Sequence, residues 1–177
     1  TARSGGWLWV PGNSLAREAG VTDSLEQARR YIEHEAGPFF DPARVDAYLA
    51  GAGAMVDFFR QHTRVQFNFG ANYPDYHLDQ PGAAQQGRSI HPVPFDGSEL
   101  GPLLERLALP MRESTFLGMG LNSGPDLKHF LNATRSLTSA AFVARRLVAH
   151  GWDVLRHGRG TRLVNGNALA ARLLASA

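Results

Sequence analysis

Two tyrosines three residues apart, Tyr73 and Tyr76, bracket Pro74-Asp75 in the run Tyr73-Pro74-Asp75-Tyr76-His77. A phenol donates a hydrogen bond, and it works as an acid or base once its surroundings move its pKa from about 10. A loop fed by a rigid strand is a common mount for working side chains. The other reading is packing, with rings buried and hydroxyls wet. The residues alone leave both open. A second feature is Ser4-Gly5-Gly6, just ahead of Trp7 and Trp9. Backbone without a Cβ approaches a flat ring or a phosphate closely, although a plain turn uses glycine in the same way.

Other chemistries find less support. His62, His77 and His91, even with Asp75 or Asp79, match no compact ligand spacing such as H-E-x-x-H, so no metal site is expected. Cysteine is absent, which excludes disulfides, thiolate metal sites and a cysteine nucleophile. No G-x-S-x-G elbow is present to support a serine triad. Arg88 and Arg112 could be misread as a bidentate carboxylate clamp. Arg156, Arg159 and Arg162 are candidates for phosphate contact, in a basic loop over Leu155–Gly160 that leads toward a helix. Asn165 or Asn167 would cap that helix, whose free N–H groups also attract anions.

Composition narrows the class. The chain has 177 residues, 44% of them apolar, enough for one ordinary domain and too apolar for a disordered chain. Basic residues number 18 against 16 acidic ones, so the net charge is only +2. Lys128 is the single lysine, and the arginines are spread without the stripe that nucleic-acid binding calls for. No nucleic-acid partner is therefore expected. No run of about 18 apolar residues is present to span a bilayer, and the first residues lack the apolar core of a secretory signal. A cytoplasmic location is the expectation.

The elements that must position the tyrosines follow from periodicity. A helix is predicted from Asp23, with Asp23 and Glu26 as a capping box, Leu25, Ala28, Ile32 and Ala36 as its stripe, and Gly37-Pro38 as its stop. Asp41-Pro42 starts a second helix with Val45, Leu49, Ala52, Val56 and Phe59 inward, ending before Thr63. The two should pair. From Arg64 the period becomes two, and Val65, Phe67 and Phe69 mark a half-buried strand that feeds the tyrosine loop. A second strand over Arg88–Phe95 is predicted at an edge because of Pro92 and Pro94. A short helix is expected over Ser98–Leu107, and irregular chain over Met111–Ser123. Helices then follow at Pro125–Leu131, at Ser136–His150 with Phe142, Leu147 and Val148 inward and Gly151 as its stop, and from Gly166 with Leu169, Leu173 and Leu174 inward. The expected class is α+β, mainly helical with a small antiparallel β-sheet. No G-x-G-x-x-G follows a strand, so a complete Rossmann unit is lacking.

The order of these motifs is more specific than any one of them. Ser4-Gly5-Gly6…Trp9-Val10-Pro11-Gly12-Asn13 resembles the flavin-side loop of the FAD-dependent 3-ketosteroid Δ1-dehydrogenases, within the fumarate reductase/succinate dehydrogenase flavoprotein superfamily. The likeness continues through Gly20–Ser24 and the helix over Asp41–Phe59. It then takes in Tyr73-Pro74-Asp75-Tyr76-His77…Pro81-Gly82…Gly87-Arg88, the most diagnostic stretch, and Gly160–Leu173. It is weakest over Gly97–Ser136.

The resemblance implies a flavoenzyme that places a hydride on FAD N5 and removes a proton from the adjacent carbon, leaving a C=C bond beside a ketone. Tyr76 would assist the proton-abstracting base, Tyr73 would line the substrate, and Ser4, Gly5 and Gly6 would lie near the flavin. Residues 1–177 would form a single domain, an internal fragment on the substrate side of a larger enzyme. The partners implied are a small apolar ketone or steroid and the FAD-binding domain outside this stretch. The glycine-rich dinucleotide motif and the main tyrosine base are expected outside it as well, and the fragment is expected to be inactive alone. The same superfamily includes enzymes of dicarboxylates, which gives a second reading. A standalone interaction module is the third.

Overall fold

The computed structural model describes residues 1–122 and 125–177, and it divides into two compact units. The fold is α+β, largely helical with small antiparallel sheets.

The first unit, Trp7–His91, carries the tyrosines. Its elements are β1 (Leu8–Trp9), α1 (Ser14–Glu18), α2 (Leu25–Ala36), α3 (Pro42–His62), β2 (Phe67–Phe69) and β3 (Ser89–Pro92, whose last residue belongs to the other unit). Helix α1 is capped by Asn13, whose Oδ1 accepts from Ala16 N at 2.9 Å. Its Nδ2 donates to the carbonyls of Val10 and Gly87, so one buried side chain ties three segments. Helix α3 starts and ends as its sequence dictates, with Asp41 accepting from Arg44 N and Thr63 closing it. Leu49, Ala52 and Val56 are its buried stripe, and it packs against α2.

Three expectations need correction in this unit. Ser24 rather than Asp23 caps α2, its Oγ accepting from Gln27 N. The reason is competition, because the Asp23 carboxylate is already bound to Arg88, Gly12 N and Ser24 N. The residues that α2 buries are Ala28 and Tyr31, while Leu25 is exposed. Strand β3 is not at an edge. It lies between β1 and β2, pairing antiparallel with β1 in the register Leu8↔Ile90. Pro92 is tolerated because it is the last residue of the strand, beyond the two paired positions.

The second unit comprises Thr1–Gly6 and Pro92–Ala177. It holds β4 (Phe95–Asp96), a kinked 3₁₀ segment (Gly97–Arg106), β5 (Thr115–Phe116), β6 (Met119–Gly120), α4 (Pro125–Leu131), α5 (Leu137–His157), β7 (Arg162–Leu163) and α6 (Asn165–Leu174). Strand β4 pairs antiparallel with β7, and the α6 face closes over them. Phe95, Leu100, Leu104, Leu107, Leu163, Ala168 and Ala171 form the core there.

Several corrections belong to this unit. Residues 115–120 are ordered as an antiparallel hairpin whose two-residue turn, Leu117-Gly118, has both φ angles positive (51° and 81°). Helix α5 passes through Gly151 and stops at Gly158, which takes the left-handed conformation (φ 72°) that a C-terminal stop needs. An interior glycine costs only about 1 kcal/mol, too little to end a helix. The expected basic loop over Leu155–Gly160 is therefore helical up to His157, and Val148 faces outward. Helix α6 has Val164 at its cap with no side-chain hydrogen bond, so neither Asn165 nor Asn167 caps it. Leu169 is buried as expected, whereas Leu173 is exposed.

Candidate active site

The loop from Gly70 to Arg88 leaves β2 and returns as β3, and a buried charge network fixes its shape. Asp75 sits between Pro74 and Tyr76. Its Oδ2 accepts from Arg88 Nη1 at 2.7 Å and from Ala84 N at 2.9 Å, and its Oδ1 accepts from Trp9 Nε1 at 2.6 Å. Arg88 also donates to Asp23 through Nε (3.1 Å) and Nη2 (2.9 Å), and to Gly82 O at 2.9 Å. Both ion pairs are almost fully buried. Gly82 is required by this fold, because with φ at 84° a Cβ there would strike the α2 backbone at Gln27 and Tyr31.

Removing the charge from water is offset only because each guanidinium nitrogen has an acceptor, and breaking such a pair typically costs about 3–5 kcal/mol. Arg88 is thus committed to the loop and is not free to clamp a substrate carboxylate. Arg112 is exposed.

With Asp75 pinned, Tyr73 and Tyr76 both border one open cleft of about 650 Å³, walled by Trp7, Trp9, Tyr31 and Ile32. Tyr73 lies against Trp7 with ring centroids 4.0 Å apart, and His91 lies on Trp7 at 4.6 Å. The Tyr76 side chain is free of packing, at 98% exposure. Tyr31 is buried, and its hydroxyl accepts from His77 N at 3.3 Å. Burial pushes the Tyr31 phenol above its ordinary pKa, against the opposing pull of that N–H. His77 Nδ1 pairs with Glu35 at 2.8 Å, and Glu35 lines the cleft as its one acid besides Asp75. An apolar cleft with few polar groups suits a flat, mostly apolar ligand.

Ser4, Gly5 and Gly6 belong to the other unit. Ser4 O accepts from Gly166 N at 3.0 Å, and Gly6 N donates to Ser4 Oγ at 3.2 Å. At Gly6 (φ 72°) a Cβ would lie 2.5 Å from Gly166 N, and at Gly166 it would collide with Thr1 and Ser4. Both glycines are therefore demanded by this backbone crossing. Ser4 and Gly5 remain exposed, so the Gly5 edge can be approached without a Cβ in the way. That open edge, close to the start of the ten-residue helix α6, fits one margin of a large anionic, ring-bearing cofactor.

The other candidates separate. His62 lies tilted against Phe58, His77 pairs with Glu35 and His91 lies tilted against Trp7. Among the described residues no group of three His, Asp or Glu side chains could hold a metal. Arg162 is bound to Asp126 at 2.6 Å, and Arg159 Nη1 donates to the carbonyls of Leu104 and Leu107. Arg156 is exposed at the end of α5.

Comparison with known proteins decides the family, since the model of the FAD binding domain matches residues 1–177. The chain belongs to the FAD binding domain family. FAD is the cofactor of that family. Over 177 residues the chain is 34% identical to 4-oxocyclohex-2-ene-1-carboxylate 5-dehydrogenase of Sinomonas cyclohexanicum, covering all of this chain and 30% of that protein. Over 101 residues it is 41% identical to 3-oxosteroid 1-dehydrogenase of Mycobacterium tuberculosis (strain ATCC 25618 / H37Rv), covering 57% of this chain and 18% of that protein. A solved 3-ketosteroid delta1-dehydrogenase from Sterolibacterium denitrificans, in complex with 1,4-androstadiene-3,17-dione, matches with a TM-score of 0.79 and 28% identity. That match covers 97% of this chain and 30% of the other.

The chain thus spans about 30% of the length of relatives that it matches throughout. The resemblance read from the sequence holds at the level of a flavoprotein family whose relatives are named as dehydrogenases. Among the described residues no helix is long and apolar enough to cross a membrane.

The sequence pointed to Tyr73 and Tyr76 but missed the Arg88–Asp75–Trp9 network that orients them. Asp75 and Trp9 are 66 positions apart, and no local pattern couples them. The one usable signal was an arginine directly after Gly87, at the start of a strand.

Proposed function

We propose that residues 1–177 are an internal, substrate-side section of an FAD-dependent dehydrogenase that introduces a C=C bond beside the carbonyl of a cyclic ketone, with a 3-ketosteroid as its substrate. The carrying observation is the tyrosine cleft. A loop pinned by Asp75 offers Tyr73 and Tyr76 to a mostly apolar hollow large enough for several fused rings. The relatives named as dehydrogenases of oxosteroids and oxocyclohexenes support this reading.

Tyr73, tilted 43° against Trp7, gives an aromatic wall against which a ring skeleton packs. The Tyr76 hydroxyl, unpaired among the described residues, assists removal of the proton α to the carbonyl. The carbonyl acidifies that position. When bound, FAD supplies the two-electron acceptor for the hydride leaving the adjacent carbon, and Ser4, Gly5 and Gly6 form part of its margin. Water is excluded from Tyr76 only when substrate and the remainder of the enzyme cover it, so this section alone is inactive.

A dicarboxylate substrate is less well supported, because Arg88 spends its donors on Asp23, Asp75 and Gly82. The test is anaerobic bleaching of the flavin in the full-length protein. Bleaching by a 3-keto-4-ene steroid supports the reading. Bleaching by succinate, with none by the steroid, overturns it.

A further inference from the structure

A second cleft, of about 370 Å³, lies wholly within the unit that contains α5, β7 and α6. Its walls are largely apolar, with Leu109, Met119, Val154 and Leu163 among them. Arg146 and Arg159 enter it from α5 and from the turn after Gly158. Acids nearby are already engaged. Asp126 accepts from Arg162 at 2.6 Å and from Asn122 N at 3.0 Å, and Asp153 accepts from Thr161 N and Oγ1.

Among the described residues neither Arg146 nor Arg159 has an acidic side chain within ion-pair distance, and the Nε of each is buried without an acceptor. Arg159 is held only by backbone carbonyls, which orient a guanidinium but do not neutralise it. Burial lowers the pKa of both, and Arg146 is pushed down further by Arg162 against the weaker opposing pull of Asp126 and Asp153. Asn167, 2% exposed, brings to the same cleft an Oδ1 with no donor.

Half-buried cations with no acid within ion-pair distance are costly unless something anionic joins them. Guanidinium is weakly hydrated and matches a carboxylate in a two-point fork. A bare inorganic ion would leave the apolar walls wet, and an uncharged apolar ligand would leave the arginines uncompensated.

We propose that this cleft binds a small hydroxylated organic carboxylate, its apolar body against Leu109, Met119 and Val154 and its carboxylate on Arg146 and Arg159. The hydroxyl donates to Asn167. This site stands apart from the dehydrogenase reading and uses none of the residues assigned to it.

The test is calorimetric titration of the full-length protein with 4-hydroxybenzoate, 4-hydroxybenzamide and inorganic phosphate. The carboxylate should bind, the amide at least tenfold more weakly, and phosphate not measurably. Arg146→Met should weaken the carboxylate at least tenfold with no loss of thermal stability, because Arg146 Nε has no bond to lose. Arg159→Met should act likewise on binding, and Arg146 carries the test if Arg159→Met fails to fold. Tyr76→Ala should leave the affinity unchanged. Equal binding of the amide, tight phosphate binding, an unaffected Arg146→Met variant or a loss with Tyr76→Ala would each overturn the proposal.

Discussion

Arg88 Nη1 donates to Asp75 Oδ2 at 2.7 Å, and each of these side chains is only 2% exposed. Asp75 immediately precedes Tyr76, so the most solvent-facing aromatic of the cleft is anchored by one of the most buried ion pairs of its unit. Rigid support of a working side chain from behind is what a preorganised site requires.

Loss of that support should be visible in folding. Arg88→Met strands two buried carboxylates and should lower the unfolding free energy by about 3–5 kcal/mol, read by urea denaturation. Arg88→Lys should recover only part, since an ammonium lacks the fork that reaches Asp23 and Asp75 together. A loss below 1 kcal/mol for Arg88→Met would show the network to be dispensable.

Tyr76 should behave in the opposite way. At 98% exposure its hydroxyl contributes nothing to packing, so Tyr76→Phe should leave the unfolding midpoint unchanged. In the full-length enzyme the same change should reduce kcat roughly 100- to 10,000-fold, the usual range for losing an acid–base participant. Unaltered turnover of a 3-keto-4-ene steroid would remove Tyr76 from the mechanism.

Two turn positions give a contrast in sign. Leu117 holds φ at 51° in the hairpin turn while its side chain is 76% exposed. Leu117→Gly should therefore stabilise by about 1 kcal/mol, the cost of a left-handed conformation for a residue with a Cβ. Gly6→Ala should instead destabilise by more than about 2 kcal/mol, because it adds a backbone clash with Gly166 to the same conformational cost. Thermal melts of the two variants compared with the parent decide both.

Alkaline pH should weaken the fold through Tyr31 and Tyr48, whose phenols are raised by burial. The folded state prefers their protonated forms. Their contribution is complete below about pH 10 and is lost as pH climbs through the raised folded values. Absorbance at 295 nm should show tyrosinate from these two residues appearing together with unfolding. Tyr48→Phe should reduce the pH dependence, and an unchanged slope would count against it.

Local chemistry was enough for much of the framework. Asp41-Pro42 and Thr63 bound α3, Ser136 starts α5, and Val65, Phe67 and Phe69 mark the strand that feeds the tyrosine loop, because caps and periodicity act over a few residues. The motif order over Ser4–Asn13, Tyr73–Arg88 and Gly160–Leu173 was enough for the flavoprotein family.

Tertiary structure decided the rest, each time through a partner distant in the chain. Asp23 left its predicted capping role because Arg88, 65 residues on, claims its carboxylate. Strand β3 became central because β1 and β2 both pair with it, and sequence periodicity carries no pairing order. Gly6 and Gly166 are glycines because two segments 160 positions apart cross within contact, a demand neither segment displays alone. Whether an arginine is a free clamp or a buried strut depends on which acids reach it, and only the folded chain brings acids into ion-pair contact with Arg88 while leaving Asp126 and Asp153 short of that distance from Arg146.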